Sequence, residues 1–118
     1  MSTLNVENIS DGTSTIGISS TSKGSAKAWC QVNILGVLTS SYNVSSITDV
    51  GTGKRTINYT NPLPSSTYCS VTSNAGSSSG GNWDITIGDK STTSCLVTIK
   101  SGAGSLTDQG FDLALFAN

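Results

Sequence analysis

Apolar and polar residues alternate with a period of two in short runs along most of this chain, the mark of half-buried β-strands. From Ala26, residues Ala28, Cys30, Val32 and Ile34 fall on one face, with Trp29, Gln31 and Asn33 on the other. Tyr42 and Val44 alternate with polar neighbours over about 42–48, as do Ile57 and Tyr59 over about 54–60. Between them, Asp49-Val50-Gly51-Thr52-Gly53 tolerates positive φ, so the pair reads as a tight hairpin. Pro62 and Pro64 cannot donate a ladder hydrogen bond, which makes the exit a crossover or a sheet edge. A further strand is expected over about 67–73, with Cys69 and Val71 inward. WDITIG alternates through Trp83, Ile85 and Ile87, and Gly88-Asp89-Lys90-Ser91 reads as a turn. Thr93 to Lys100 turns Cys95, Val97 and Ile99 inward.

Two runs break the alternation. Ile34-Leu35-Gly36-Val37-Leu38 is either a turn at Gly36 or a strand covered on both faces. Phe111 to Ala117 has one polar residue, Asp112, and should be buried on both faces, as a central strand or at a subunit contact. No stretch holds helical periodicity over three turns. The pattern predicts an all-β protein: an antiparallel β-sandwich or barrel of about seven to eight short strands with an extended N-terminal arm.

The arm is residues 1–24, and the head domain is 25–118. In the arm, Leu4, Val6, Ile9, Ile16 and Ile18 stand isolated among Ser, Thr, Asn and Gly. Two short strands around a turn at Asp11-Gly12 fit this pattern, but such a hairpin is marginal alone. The reading is an attachment or trimerisation arm that orders against a partner or neighbouring copies.

Composition sharpens the fold more than the function. Charged residues are 11% of the chain, against about 25% in ordinary domains. Hydroxyls replace them, with 22 serines and 16 threonines suited to outward strand faces and loops. A net charge of −1 with scattered basic residues gives no electrostatic case for nucleic acid. No apolar run approaches the roughly 20 residues of a membrane span, so no membrane insertion is expected. The opening MSTLNVENIS lacks signal-peptide character, which points to synthesis in a cytoplasm.

Candidate chemistry is sparse. Histidine is absent, which removes the commonest general base and metal ligand. Cys30, Cys69 and Cys95 lack metal-site spacing and read as small buried hydrophobes, with one disulfide among them left open. The acidic residues sit mostly in turns, where Asp caps its own backbone. No enzymatic role and no cofactor is expected. What remains is surface. Trp83 follows a Gly/Ser/Asn loop, where an indole beside amides and hydroxyls can hold a sugar, although its strand-mates Ile85 and Ile87 favour the core. The loops around 74–82 and 101–108 make Asn74, Ser77, Asn82, Trp83 and Asp108 candidate glycan or receptor contacts. Trp29, Phe111, Leu113 and Phe116 are candidate subunit contacts.

Tyr42-Asn43-Val44-Ser45-Ser46-Ile47-Thr48-Asp49, with Gly51, Gly53, Tyr59, Pro62, Pro64 and Tyr68, resembles a module of bacteriophage tail-fibre and related virion proteins, typical of marine and cyanobacterial phages. Ser2 to Ile9 with Asp11-Gly12, and Gly24-Ser25-Ala26-Lys27-Ala28-Trp29, look like the same group. The resemblance implies a phage virion structural protein, a homotrimer, assembled in the host cytoplasm and attached through its arm to tail, baseplate or capsid proteins. It also implies contact with host surface polysaccharide. The alternative is a capsid decoration (cement), head-fibre or baseplate protein with a purely structural role.

Overall fold

The computed structural model describes residues 2–75 and 83–117. The arm contains β1 (Asn8–Ser10) and β2 (Thr15–Gly17), paired antiparallel as a ribbon. Their turn is built by Asp11, whose Oδ1 accepts from the backbone N–H groups of Thr13 at 2.9 Å and Ser14 at 2.7 Å. These bonds favour the ionised form and hold the Asp11 carboxyl below its ordinary range. A helix that periodicity does not announce follows, α1 (Ile18–Gly24). Two turns are too short to show an apolar stripe. Its last carbonyls are capped from outside, by Ser25 Oγ on Thr21 O and Lys27 Nζ on Ser22 O, both at 2.6 Å.

The head holds β3 (Ala28–Val32), β4 (Leu38–Tyr42), β5 (Val44–Gly51), β6 (Lys54–Tyr59), β7 (Cys69–Asn74), β8 (Trp83–Gly88), β9 (Ser94–Ser101) and β10 (Phe111–Phe116). They form two open four-stranded antiparallel sheets, β4-β3-β10-β7 and β5-β6-β9-β8. The all-β expectation holds, and the open sheets select the sandwich over the barrel. The core lies between the central strands. Ala28, Cys30 and Val32 from β3 and Phe111, Leu113 and Leu115 from β10 face Ile57 and Tyr59 from β6 and Cys95, Val97 and Ile99 from β9. Edge strands contribute half-buried residues such as Leu38, Ile47, Ile85 and Ile87.

The hairpin of β5 and β6 closes as expected, with Asp49 Oδ1 accepting from Gly51 N at 3.0 Å. Gly53 has φ +69° and no room for a side chain: a Cβ would stand 2.6 Å from Ile99 O and 2.8 Å from Thr107 N. Gly36 turns the chain between β3 and β4 at φ +77°, which settles the 34–38 run as a turn. Beyond β6, the Pro62–Pro64 segment crosses to the other sheet, burying Leu63 on the way.

Three expectations are corrected. Tyr42 and Val44 do not share a strand: Asn43, at φ +57°, ends β4, and the chain changes sheet there. Cys69 and Val71 face outward. Tyr68 enters the core at 4% exposure, and the period of two then carries Ser70 and Thr72 inward. Burying that aromatic outweighs burying a cysteine and a valine, and an edge strand tolerates hydroxyls at the rim of the core. Finally, β10 is central but is fully buried on one face only; Asp112, Ala114 and Phe116 are half-buried on the other.

Candidate functional site

Asn74 is exposed at the end of β7. Trp83 packs half-buried against the core, its indole N–H buried and without a hydrogen-bond partner among the described residues. It therefore offers no open aromatic platform. Asp108 is occupied: its Oδ1 accepts from Gly53 N at 2.8 Å and lies 3.4 Å from Arg55 Nη2. Ser77 and Asn82 lie outside the described residues.

Arg55 was not singled out by its sequence, yet it is the buried charged residue of the head, at 5% exposure. It occupies an inward position of β6 and plugs one end of the sandwich. Its guanidinium rests on Gly36 and lies 3.6 Å from Asp49 Oδ2. The arginine thus joins the 33–37 turn, the hairpin and the segment before β10. Both carboxylates are spent on backbone and guanidinium contacts, which leaves a clamp rather than an acid/base pair.

Tyr59 and Tyr68 meet edge to face, ring centroids 6.3 Å apart, with their hydroxyls 2.8 Å apart. Tyr68 donates onward to Ser94 O at 3.2 Å, so Tyr59 donates to Tyr68. Burial pushes both phenols above their ordinary value. Burial also raises the Cys95 thiol and pushes Cys30 up to about 12. A thiol held protonated is a poor nucleophile or metal ligand. All three cysteines are free, Cys69 exposed and the others buried. No metal-holding group of His, Cys, Asp and Glu occurs among the described residues.

The outer face of the sheet β4-β3-β10-β7 is different. Register places Tyr42, Trp29, Ala114 and Val71 in one row across the strands. The next row is Ser40, Gln31, Asp112 and Ser73. An apolar stripe with two exposed aromatics therefore runs beside a polar one. Trp29 is 39% exposed and Tyr42 56%. A groove of about 410 Å³ opens between the rows. A second groove of about 420 Å³, lined by Lys27, Tyr42, Asn43, Asn61, Pro62 and Pro64, adjoins the aromatic pair. The alternation places Trp29 opposite the Ala28-Cys30-Val32 face, as the structure has it. It could not show Tyr42 beside it, because that depends on the sheet change at Asn43.

Of the expected subunit contacts, Trp29 and the half-buried Phe116 reach this outer face, while Phe111 at 0% and Leu113 at 3% exposure are taken up by the core. In the arm, Leu4 is 83%, Ile9 59%, Ile16 56% and Val6 37% exposed, and Ile18 is half-buried. No helix among the described residues is long and apolar enough to cross a membrane.

No protein-family model, no curated protein and no solved structure matches this chain.

Proposed function

We propose that this chain is a non-enzymatic structural protein of a bacteriophage virion, of tail-fibre type, held to its particle by the N-terminal arm. The observation that carries this reading is the arm's surface. Leu4, Ile9 and Ile16, each more than half exposed, project from a ribbon and an extended lead that bury almost nothing of their own. Apolar side chains on so slight a scaffold gain stability when another protein covers them. The resemblance adds support, since its motif residues Asn43, Pro62 and Tyr68 lie on the connections between the two sheets and Gly53 makes the hairpin turn of one of them. In this reading the head is displayed and copies of the chain associate as a trimer.

The test uses the full chain with Leu4, Val6, Ile9 and Ile16 all changed to Ser. The variant keeps the β-rich circular dichroism of the parent but no longer co-sediments with purified particles. Undiminished co-sedimentation removes the arm from attachment. Electron microscopy of labelled protein then separates a fibre position from a capsid decoration position, and light scattering reads the copy number.

A further inference from the structure

We infer that the groove on the outer face of β4-β3-β10-β7 is a saccharide-binding site, with Trp29 as its platform and Asp112 as its principal polar contact. The inference rests on the paired rows and stands independently of the arm's role.

Trp29 and Tyr42 are direct cross-strand neighbours, both pointing away from the core. Sugar rings carry C–H groups on their faces and hydroxyls around their rims. A flat indole covers the first, and a line of amide, hydroxyl and carboxylate groups meets the second. Gln31, Ser40, Ser73 and Asp112 are such a line, one step along the strands from the indole. The groove's 410 Å³ lies within the usual range for small-ligand sites.

Asp112 decides among occupants. Its Oδ2 accepts from Ser73 Oγ at 3.1 Å, whereas its Oδ1 is buried and has no partner among the described residues. The carboxylate is half-buried, and a dry protein contact laid over it would strip the water left on its exposed part. A ligand hydroxyl donating to the carboxylate replaces that water with a charge-assisted bond. The chemistry therefore favours a polyhydroxylated ligand over the apolar face of a second copy. It adds a saccharide contact on the sheet, apart from the loop candidates Trp83, which faces the core, and Asp108, whose Oδ1 is engaged.

The experiment follows tryptophan emission in a Trp83→Phe background, so that Trp29 alone reports. The full chain is titrated with maltotriose, cellotriose, chitotriose and laminaritriose up to about 10 mM, which reaches millimolar affinity. At least one trisaccharide shifts the emission saturably. Its affinity, read by calorimetry in the parent chain, falls at least about tenfold in Trp29→Ala and in Asp112→Ala. Thr86→Ala, on the opposite sheet, leaves it unchanged. Three results each overturn the proposal: no trisaccharide shifts the emission, binding survives Trp29→Ala, or sedimentation shows an oligomer that Trp29→Ala dissociates, which assigns the face to a second copy.

Discussion

Asn43 and Asn61 hold one another by a reciprocal pair of hydrogen bonds: Asn43 Oδ1 accepts from Asn61 N at 2.8 Å, and Asn43 Nδ2 donates to Asn61 O at 3.1 Å. The amide acts as a short piece of β-ladder at the point where the chain leaves one sheet for the other. The same Nδ2 donates to Lys27 O at 3.0 Å, and the Asn43 carbonyl accepts from Thr60 N at 3.1 Å. One residue thus ties together the root of the arm, the sheet change and the start of the proline crossover.

Asn43→Ala loses these side-chain bonds and places a Cβ residue at φ +57°, a region that favours Asn and Gly. The expected cost is about 2–4 kcal/mol in urea unfolding. Asn43→Gly relieves the backbone but not the amide, and recovers roughly 1 kcal/mol of that loss. Equal stability of the two variants would assign the whole effect to the hydrogen bonds.

Gly53→Ala drives a methyl into backbone atoms of two neighbouring segments, at Ile99 O and Thr107 N. Backbone cannot step aside as a flexible side chain can. The expected loss is about 2–4 kcal/mol. Thr52→Ala, at an exposed turn position, should stay within about 0.5 kcal/mol of the parent.

The buried phenols and thiols set an alkaline limit. Burial raises Tyr59 and Tyr68 above the ordinary 10.0, and Cys30 and Cys95 above the ordinary 9.0. Their protonated forms are favoured in the folded chain, so the unfolded chain loses protons first as pH rises. These four groups contribute fully below about pH 8.5, and their contribution declines progressively above it. Urea midpoints across the neutral-to-alkaline range read this directly. Cys30→Ala should make the first part of the decline shallower, and a Cys30→Ala profile parallel to the parent's would exclude that thiol as a source.

Arg55 contributes mainly as packing. Arg55→Ala empties the end plug under Gly36 and should cost about 2–4 kcal/mol. Arg55→Met refills most of the volume without a charge to desolvate and should lie within about 1 kcal/mol of the parent. Asp49→Asn should change stability by under about 0.5 kcal/mol, since that carboxylate is 66% exposed and well solvated. Thermal unfolding of the three variants orders them.

The strands were legible where one face is fully buried. The Ala28, Cys30, Val32 and Cys95, Val97, Ile99 sets lie on central strands, where inward positions away from the ends of the sandwich are apolar. The glycine turns at 51–53 and the proline crossover were legible because backbone chemistry is local. What failed was parity at an edge. Nothing near Cys69 reveals that Tyr68 reaches Tyr59 across the core and fixes the inward set. The outer face was hidden for the same reason, because its rows draw on β3, β4, β7 and β10, brought together only by sheet order. Arg55 was hidden because alternation ranks a charged residue as outward, and only the end of a sandwich lets it point in.

The position of β10 has a consequence for how the protein emerges from the ribosome. The last strand is the seam between β3 and β7. Until Phe111–Phe116 has left the exit tunnel, β7 has no neighbour in its sheet and the core lacks Phe111, Leu113 and Leu115. Closure of the head therefore follows synthesis of β10. The β1–β2 ribbon, which precedes every head strand, can pair while the sandwich is still open.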